Sequence, residues 1–426
     1  MGRVNNPQND GVLSAEQSND GRSSRRTFLR LTGVAGAGAL AGCTGSVGNL
    51  GNQGVGTVRY GVLSPMTGPY GGLAQGQRAG ARLAVEHVNN SDQYDFEIEA
   101  FYDDTEATPA TGRRKAQKVV DQNDVSYLMG AISSSTALAL NDFAESEEII
   151  YNPGAAAVAI TGEQCNEYVF RAETSAAQIA EAMAPWTVQN VGTKTWFHIA
   201  DYAYGNSVLE EWRSRMSATS DQFEEVGVSR SQLGATNFGS FISQISNSDA
   251  ELVVLGMTGG DLINFVKQAA NQGLKEDVAL VGPTMTFSVV LNALGGVAAG
   301  TYGGVRYLPK LETGDNQEFV SAYQDANDGP PDNFARVAYD SIRMTAQGIQ
   351  EAGTNDPEEV KDTLAGLEVD SLFGPNQFRE CDHQAMNPVW AGENVAANGD
   401  SVNVELRTKI EGPDAIPPCN ETGCSL

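Results

Sequence analysis

Short apolar runs that read as buried strands alternate with helical patterns from about residue 57 to 411, and that rhythm constrains the fold more than any other feature. Thr57-Val58-Arg59-Tyr60-Gly61-Val62-Leu63 opens the series, followed by a helix pattern over about 75–89 with apolar residues at Ala81, Ala84, Val85 and Val88. Phe96, Ile98, Ala100 and Tyr102 alternate as a strand face. Thr108 is placed to cap a helix that has Pro109 at its first position. Residues 125–129 predict a third strand, 136–147 a helix and 149–151 a fourth strand. Strands separated by helices in this way predict a parallel sheet covered on both faces.

The pattern restarts at Thr195-Trp196-Phe197-His198-Ile199, with further strands expected over 226–228, 252–255 and 278–281. Phe238, Phe241, Ile242 and Ile245 stand at helical spacing and read as a core stripe. The span exceeds what one core usually supports, so the expected fold is α/β, with two doubly wound, Rossmann-like lobes. Sheets of this kind present ligands to loops at the carboxyl ends of their strands, which makes a cleft between the lobes the expected site.

Ahead of this body stands Ser24-Arg25-Arg26-Thr27-Phe28-Leu29-Arg30, then a Gly/Ala/Leu run, then Leu40-Ala41-Gly42-Cys43. Paired arginines before a small-residue box and a cysteine predict a twin-arginine lipoprotein signal over 1–42 with lipidation at Cys43. The rival reading, a transmembrane helix, is opposed by length: the run over 31–42 is far short of the ~20 apolar residues a bilayer span needs. Residues 43–56, rich in Gly and Asn, read as a flexible tether. The expected location is the extracellular face of the cell membrane, lipid-anchored.

The formal charge is -27, from 27 basic and 54 acidic residues. Such a surface repels phosphates, so no nucleic acid partner is expected. Lysine is scarce beside arginine, and the acid-rich loops resemble haloarchaeal proteins. At about 1 M salt the screening length is only ~3 Å, so this charge is tolerable there. The acids are scattered rather than clustered, which weighs against a dedicated cationic ligand.

Apart from Cys43 there are Cys165, Cys381, Cys419 and Cys424. An even count outside the cytoplasm favours two disulfides. Cys419 and Cys424 bracket a tiny loop and are expected to pair, leaving Cys165 with Cys381. A metal site is the rival, but His87, His198 and His383 are not in ligand spacing with the cysteines.

Four loop regions follow strands. Ser64-Pro65-Met66-Thr67-Gly68-Pro69-Tyr70-Gly71-Gly72 can turn backbone N–H groups toward a ligand. Gly130-Ala131-Ile132-Ser133-Ser134-Ser135-Thr136 offers a helix cap and hydroxyl donors for a carboxylate. Asn152-Pro153-Gly154-Ala155-Ala156-Ala157 is small enough for backbone contact. None of these three contains Arg or Lys, which argues against tight binding of dianions. In the second lobe, Asp201-Tyr202-Ala203-Tyr204-Gly205 brings a ring and a hydroxyl. Thr258-Gly259-Gly260-Asp261 brings an acid that can cap the next helix, pair with a ligand ammonium, or both.

Gly68-Pro69, Ser133-Ser134-Ser135-Thr136, Pro153-Gly154, Tyr204-Gly205, Asp261 and Phe373-Gly374-Pro375 together resemble the branched-chain amino-acid binding proteins of ABC importers, the leucine-binding-protein family of type I periplasmic binding proteins. Arg379-Glu380-Cys381-Asp382-His383-Gln384 resembles a subgroup for amides, urea or amino acids. The resemblance covers about 57–411 and implies two lobes joined by three hinge strands: 57–176 plus 287–370, and 177–286 plus 371–411, with 412–426 as a tail. It implies no catalytic residues and no cofactor. By position, Ser133 would take the ligand carboxylate, with Gly154 and Ala156 supplying backbone groups. Asp261 would take the ammonium, and Tyr204 would cover the ligand. Leu73, Ser134 and Ala155 complete the implied contacts. Ala156 stands where the family often has a threonine, which puts leucine-like specificity in doubt. Cys165 and Cys381 match a subgroup-like disulfide between the first lobe and the C-terminal crossover.

The implied function is capture of a small amino-acid-like ligand by a monomer and its delivery to ABC permease subunits. A tethered sensor on the same fold would use the same closure. A secreted hydrolase finds no support, because no Gly-x-Ser-x-Gly elbow or two-histidine metal helix occurs and Ser133 to Ser135 have no assigned histidine.

Overall fold

The computed structural model describes residues 55–426. Arg25, Arg26 and Cys43, with the export signal and lipidation they predict, lie outside the described residues. The chain runs through β1 (Gly56–Ser64), α1 (Gly71–Asn89), β2 (Phe96–Asp104), α2 (Pro109–Asn123), β3 (Tyr127–Gly130), α3 (Ser134–Glu147) and β4 (Ile150–Pro153). These strands form one sheet in the order β2-β1-β3-β4, all parallel. Both β3 and β4 are buried along their whole length, as a parallel sheet covered on both faces requires. Thr108 caps α2 as expected, its hydroxyl accepting from the Thr111 N–H, with Pro109 at the first helical position.

The second series is α4 (Ala176–Asn190), β5 (Lys194–Ala200), α5 (Ala203–Thr219), β6 (Glu224–Ser231), α6 (Gly239–Ser246), β7 (Leu252–Gly256), α7 (Gly259–Asn271), α8 (Leu274–Asp277), β8 (Ala279–Gly282), α9 (Ser288–Leu294) and β9 (Tyr302–Val305). Phe238, Ile242 and Ile245 are buried together in this lobe, so the helical stripe over α6 is core. The chain then returns to the first lobe through α10 (Asn316–Ala326), α11 (Asn333–Ala352), α12 (Pro357–Leu364) and the hairpin of β10 (Glu368–Ser371) with β11 (Gly374–Gln377). It ends in the second lobe with β12 (Val389–Ala396), β13 (Val402–Ile410) and α13 (Gly412–Ala415).

The second sheet has seven strands in the order β13-β12-β9-β8-β7-β5-β6. Its β5 to β9 portion is parallel, whereas β12 runs antiparallel to both β9 and β13. The connection between β12 and β13 is too short for a crossover, so those two strands pair antiparallel. In the first lobe, α1 lies directly on α11 at Gly80, where a Cβ would overlap the Ala335 carbonyl. Around that contact Val58, Tyr60, Val62, Ala84, Ile342 and Ile349 form one core.

Three passages join the lobes. The first follows Ala172, the second is at Arg306 between β9 and the buried Tyr307, and the third leads from Ala385 to β12. The first and third run side by side: the Arg171 N–H donates to the His383 carbonyl at 2.9 Å and the Ala385 N–H to the Arg171 carbonyl at 3.0 Å. The expected lobe boundaries at 286 and 370 therefore move. Strand β9 stays in the second sheet by pairing with β8 and β12, and residues up to Ala385 stay in the first lobe through β11 and the buried Phe378.

The disulfides also differ from expectation. Cys165 pairs with Cys424 across a Cα–Cα distance of 5.6 Å, and Cys381 with Cys419 across 6.0 Å. The tail turns at Cys419–Glu421, with Thr422 bonding back to the Cys419 carbonyl, so its two cysteines reach different neighbours. The tail thus leaves the second lobe and is stapled twice to the first. Among the described residues, no helix is long and apolar enough to cross a membrane and no cluster of His, Cys, Asp and Glu could hold a metal ion.

Candidate functional site

One face of the cleft comes from the loops that end β3 and β4. The Gly154 N–H donates to the Gly130 carbonyl at 2.9 Å, and the Ala157 N–H donates to Ser134 Oγ at 3.2 Å, so the two loops form one surface. Ala155 and Ala157 turn their carbonyls to the Arg171 guanidinium, fixing the small-residue loop from behind. At Gly154 a Cβ would overlap the buried Gln77 amide, so a larger residue here requires that side chain to shift.

The opposite face comes from loops of the second lobe: Tyr202 and Tyr204 at the start of α5, Thr258 before α7, Thr284 after β8, and Arg306 after β9. Ile132, Ser134, Gly154, Ala155, Ala156 and Phe334 line the same cavity from the first lobe. Its volume is about 20 Å³. That is room for about one water molecule.

The lobes meet directly beside it. Tyr70 donates a hydrogen bond to the Tyr202 hydroxyl at 2.6 Å across the seam. Burial pushes the pKa of both tyrosines far up, so both keep their protons. Tyr204 is pushed up to about 12, again by burial, and its hydroxyl lies beside Arg306 without a well-aligned partner. The Thr258 hydroxyl and Arg306 Nε are likewise buried without partners, whereas Thr284 donates to the Met257 carbonyl at 3.1 Å. Orphaned polar groups are rare in folded proteins, and several converging on one cavity mark a surface built to receive something polar.

Of the residues anticipated from sequence, Ser134, Gly154, Ala155, Ala156 and Tyr204 come together on the lining. Leu73, Ser133 and Asp261 do not. Leu73 is buried in an apolar cluster with Tyr70 and Ala74. Ser133 takes the N-cap position of α3 but makes no capping bond, and its hydroxyl is buried without a partner. The N-cap of α7 is Thr258, and Asp261 is the third residue of the helix. The Asp261 carboxylate accepts from the Gly234 N–H at 3.0 Å and stands close enough to Tyr70 and Tyr202 to raise both. Burial pushes Asp261 itself up to about 6.

Sequence reading missed Thr284, Arg306 and Phe334. The signal available for Arg306 was an arginine directly after the apolar end of β9, but β9 itself was not recognised as a strand.

A family model for the periplasmic binding proteins matches residues 57–400. The chain belongs to that family. This periplasmic binding protein is 25% identical over 330 residues to the leucine-, isoleucine-, valine-, threonine- and alanine-binding protein of Pseudomonas aeruginosa, covering 76% of this chain and 86% of the relative. Its fold matches a periplasmic binding protein of Burkholderia mallei with a TM-score of 0.79 at 24% identity, covering 87% of this chain and 99% of the other. It also matches an ABC-transporter solute-binding protein of Rhodopseudomonas palustris, solved with 3,4-dihydroxybenzoic acid, with a TM-score of 0.76 at 23% identity, covering 84% and 98%. The family consists of solute-binding proteins rather than enzymes, and membership implies export from the cytoplasm.

Proposed function

We propose that this protein is a lipid-anchored receptor of an ABC importer that captures a small carboxylate-bearing solute between its lobes and presents the closed form to a permease. The observation that carries this reading is the lining itself, in which both lobes face one small cavity and the second lobe brings to it three buried polar groups without partners, on Tyr204, Thr258 and Arg306. A cavity of about 20 Å³ admits no organic solute, so entry requires the lobes to part at the three passages. A ligand drives closure only by touching both lobes more favourably when they are shut, and this lining offers contacts on each side. Amino acids and amides, as the sequence resemblance implies, belong to the ligand set to be tested, as do aromatic acids of the kind bound by the Rhodopseudomonas protein.

Twin-arginine export, lipidation at Cys43 and attachment to the outer membrane face complete the proposal. A monomer is expected, and the acidic surface fits work in concentrated salt. The test is a thermal-shift screen of the mature chain in molar KCl against amino acids, amides and carboxylates, followed by small-angle scattering with any hit. A ligand should raise the melting temperature and shrink the radius of gyration. A folded protein that no small solute stabilises or compacts would overturn the receptor reading. Mass spectrometry of Cys43 and its Ser variant tests the anchor.

A further inference from the structure

We infer that Arg306 anchors the ligand's carboxylate and that the ligand carries no ammonium group, making it a small monocarboxylate with an apolar body. The inference rests on the receptor reading and narrows its ligand class. Among the described residues, Arg306 is the one charged side chain on the lining, and no Asp or Glu lines the cavity. The residue is 3% exposed, and its Nε has no hydrogen-bond partner.

Its nearest counter-charge does not neutralise it alone. Arg306 Nη1 stands 3.2 Å from Glu173 Oε1, but Arg336 Nη2 shares that same oxygen at 3.7 Å. Glu173 also accepts from the Thr174 N–H at 2.7 Å and from Asn333 Nδ2 at 3.0 Å. One saturated carboxylate thus serves two guanidinium groups, leaving positive charge on the cavity side. The remaining acid of this cluster, Asp340, faces Arg336 at 3.7 Å and accepts from the Leu372 N–H, so it belongs to the far end. Phe287 holds the Arg306 guanidinium from its face, with 4.8 Å to the ring centroid. A guanidinium fixed in this way is suited to a carboxylate.

The rest of the lining points the same way. Tyr204 and Thr258 offer hydroxyls without partners. An ammonium, by contrast, would meet no carboxylate. Asp261 lies off the lining and is engaged by the Gly234 N–H, near the hydrogen-bonded Tyr70–Tyr202 pair. An unpaired buried ammonium is strongly penalised. Tyr202, Tyr204, Phe334 and Ile132 supply flat and apolar surface for the body of the ligand.

The test is titration calorimetry on the full mature chain with two matched pairs: benzoate against benzamide, and 4-methylpentanoate against L-leucine. Each carboxylate without an amino group should bind more tightly than its partner. In Arg306→Gln the preference for benzoate over benzamide should fall by about 100-fold, as expected for loss of one member of a buried charge pair. Arg306→Lys should restore part of it and serves as the second variant if Arg306→Gln does not fold. A merely structural role for Arg306 would weaken benzoate and benzamide by one common factor, and that result overturns the inference. So does tighter binding of L-leucine than of 4-methylpentanoate with the lobes still closing, which leaves the receptor reading standing.

Discussion

The two walls of the cleft are built on different principles. The first lobe offers mainly backbone and small side chains, Gly154, Ala155, Ala156 and Ser134 on two loops bonded to each other, with the apolar Ile132 and Phe334 beside them. Its shape depends on what cannot be added. The second lobe offers rings, hydroxyls and one cation, so its chemistry depends on what cannot be removed. The lobes differ in construction as well. The first is assembled from distant segments around a four-stranded sheet and is stapled by both disulfides, while the second follows one long run of chain with β12 and β13 added at its edge. Side-chain deletion is therefore the informative change on one side, and overpacking or unstapling on the other.

The largest effect is expected at the staples. Cys165→Ser with Cys424→Ser opens a closure of 259 residues and should cost about 2–5 kcal/mol of unfolding free energy, read from denaturant midpoints. A smaller loss is expected from Cys381→Ser with Cys419→Ser, a closure of 38 residues. The opposite order would show that the longer staple does not hold the first lobe's segments together.

In the first wall, Gly154→Val crowds the Gln77 amide and should weaken ligand binding by about 10–100-fold, the equivalent of about 1–3 kcal/mol of overpacking. Unchanged affinity by calorimetry would mean that the ligand does not approach this backbone. In the second lobe the contrast is with Asp261, whose folded pKa of about 6 lies above its ordinary 3.8. Between those values the unfolded chain is the more ionised, so this group's contribution falls as pH rises from about 4 to about 6 and then levels. Asp261→Asn should remove that decline and stabilise the protein at pH 7 by about 1–2 kcal/mol. Parallel stability–pH curves for the two proteins would refute it.

The smallest effect is expected where the walls touch. Tyr70→Phe removes the donor to Tyr202 and should shift the lobes toward opening by about 1 kcal/mol. Scattering without ligand should show a small rise in radius of gyration, and an unchanged radius would make this bond incidental to closure.

Much of the architecture was readable because periodicity is local. The buried run of β1, the cap at Thr108 and Pro109, and the stripe Phe238, Ile242, Ile245 each follow from residues a few positions apart. Half the cleft was readable for a related reason: ligand loops follow strand ends, so the loops over 130–136, 152–157 and 201–205 could be named from their place after a strand, and the family resemblance then picked out Ser134, Gly154 to Ala156 and Tyr204 within them. Asp261 could be placed in the first turn of a helix, but not on or off the lining. That depends on how the loops of the two lobes meet, which no short window of chain records.

By itself, then, the sequence determined the α/β class, the strands β1 to β8 and the loops of the small-residue wall, because these are written in short windows of chain. Only the tertiary structure decided the rest: the lobe that β9 joins, the partners of the four cysteines, and the presence of Arg306 in the cleft beside a carboxylate it shares with Arg336. Those outcomes depend on groups brought together from separate elements, from 38 to 259 residues apart for the disulfides, and such a meeting leaves no periodic trace in the chain.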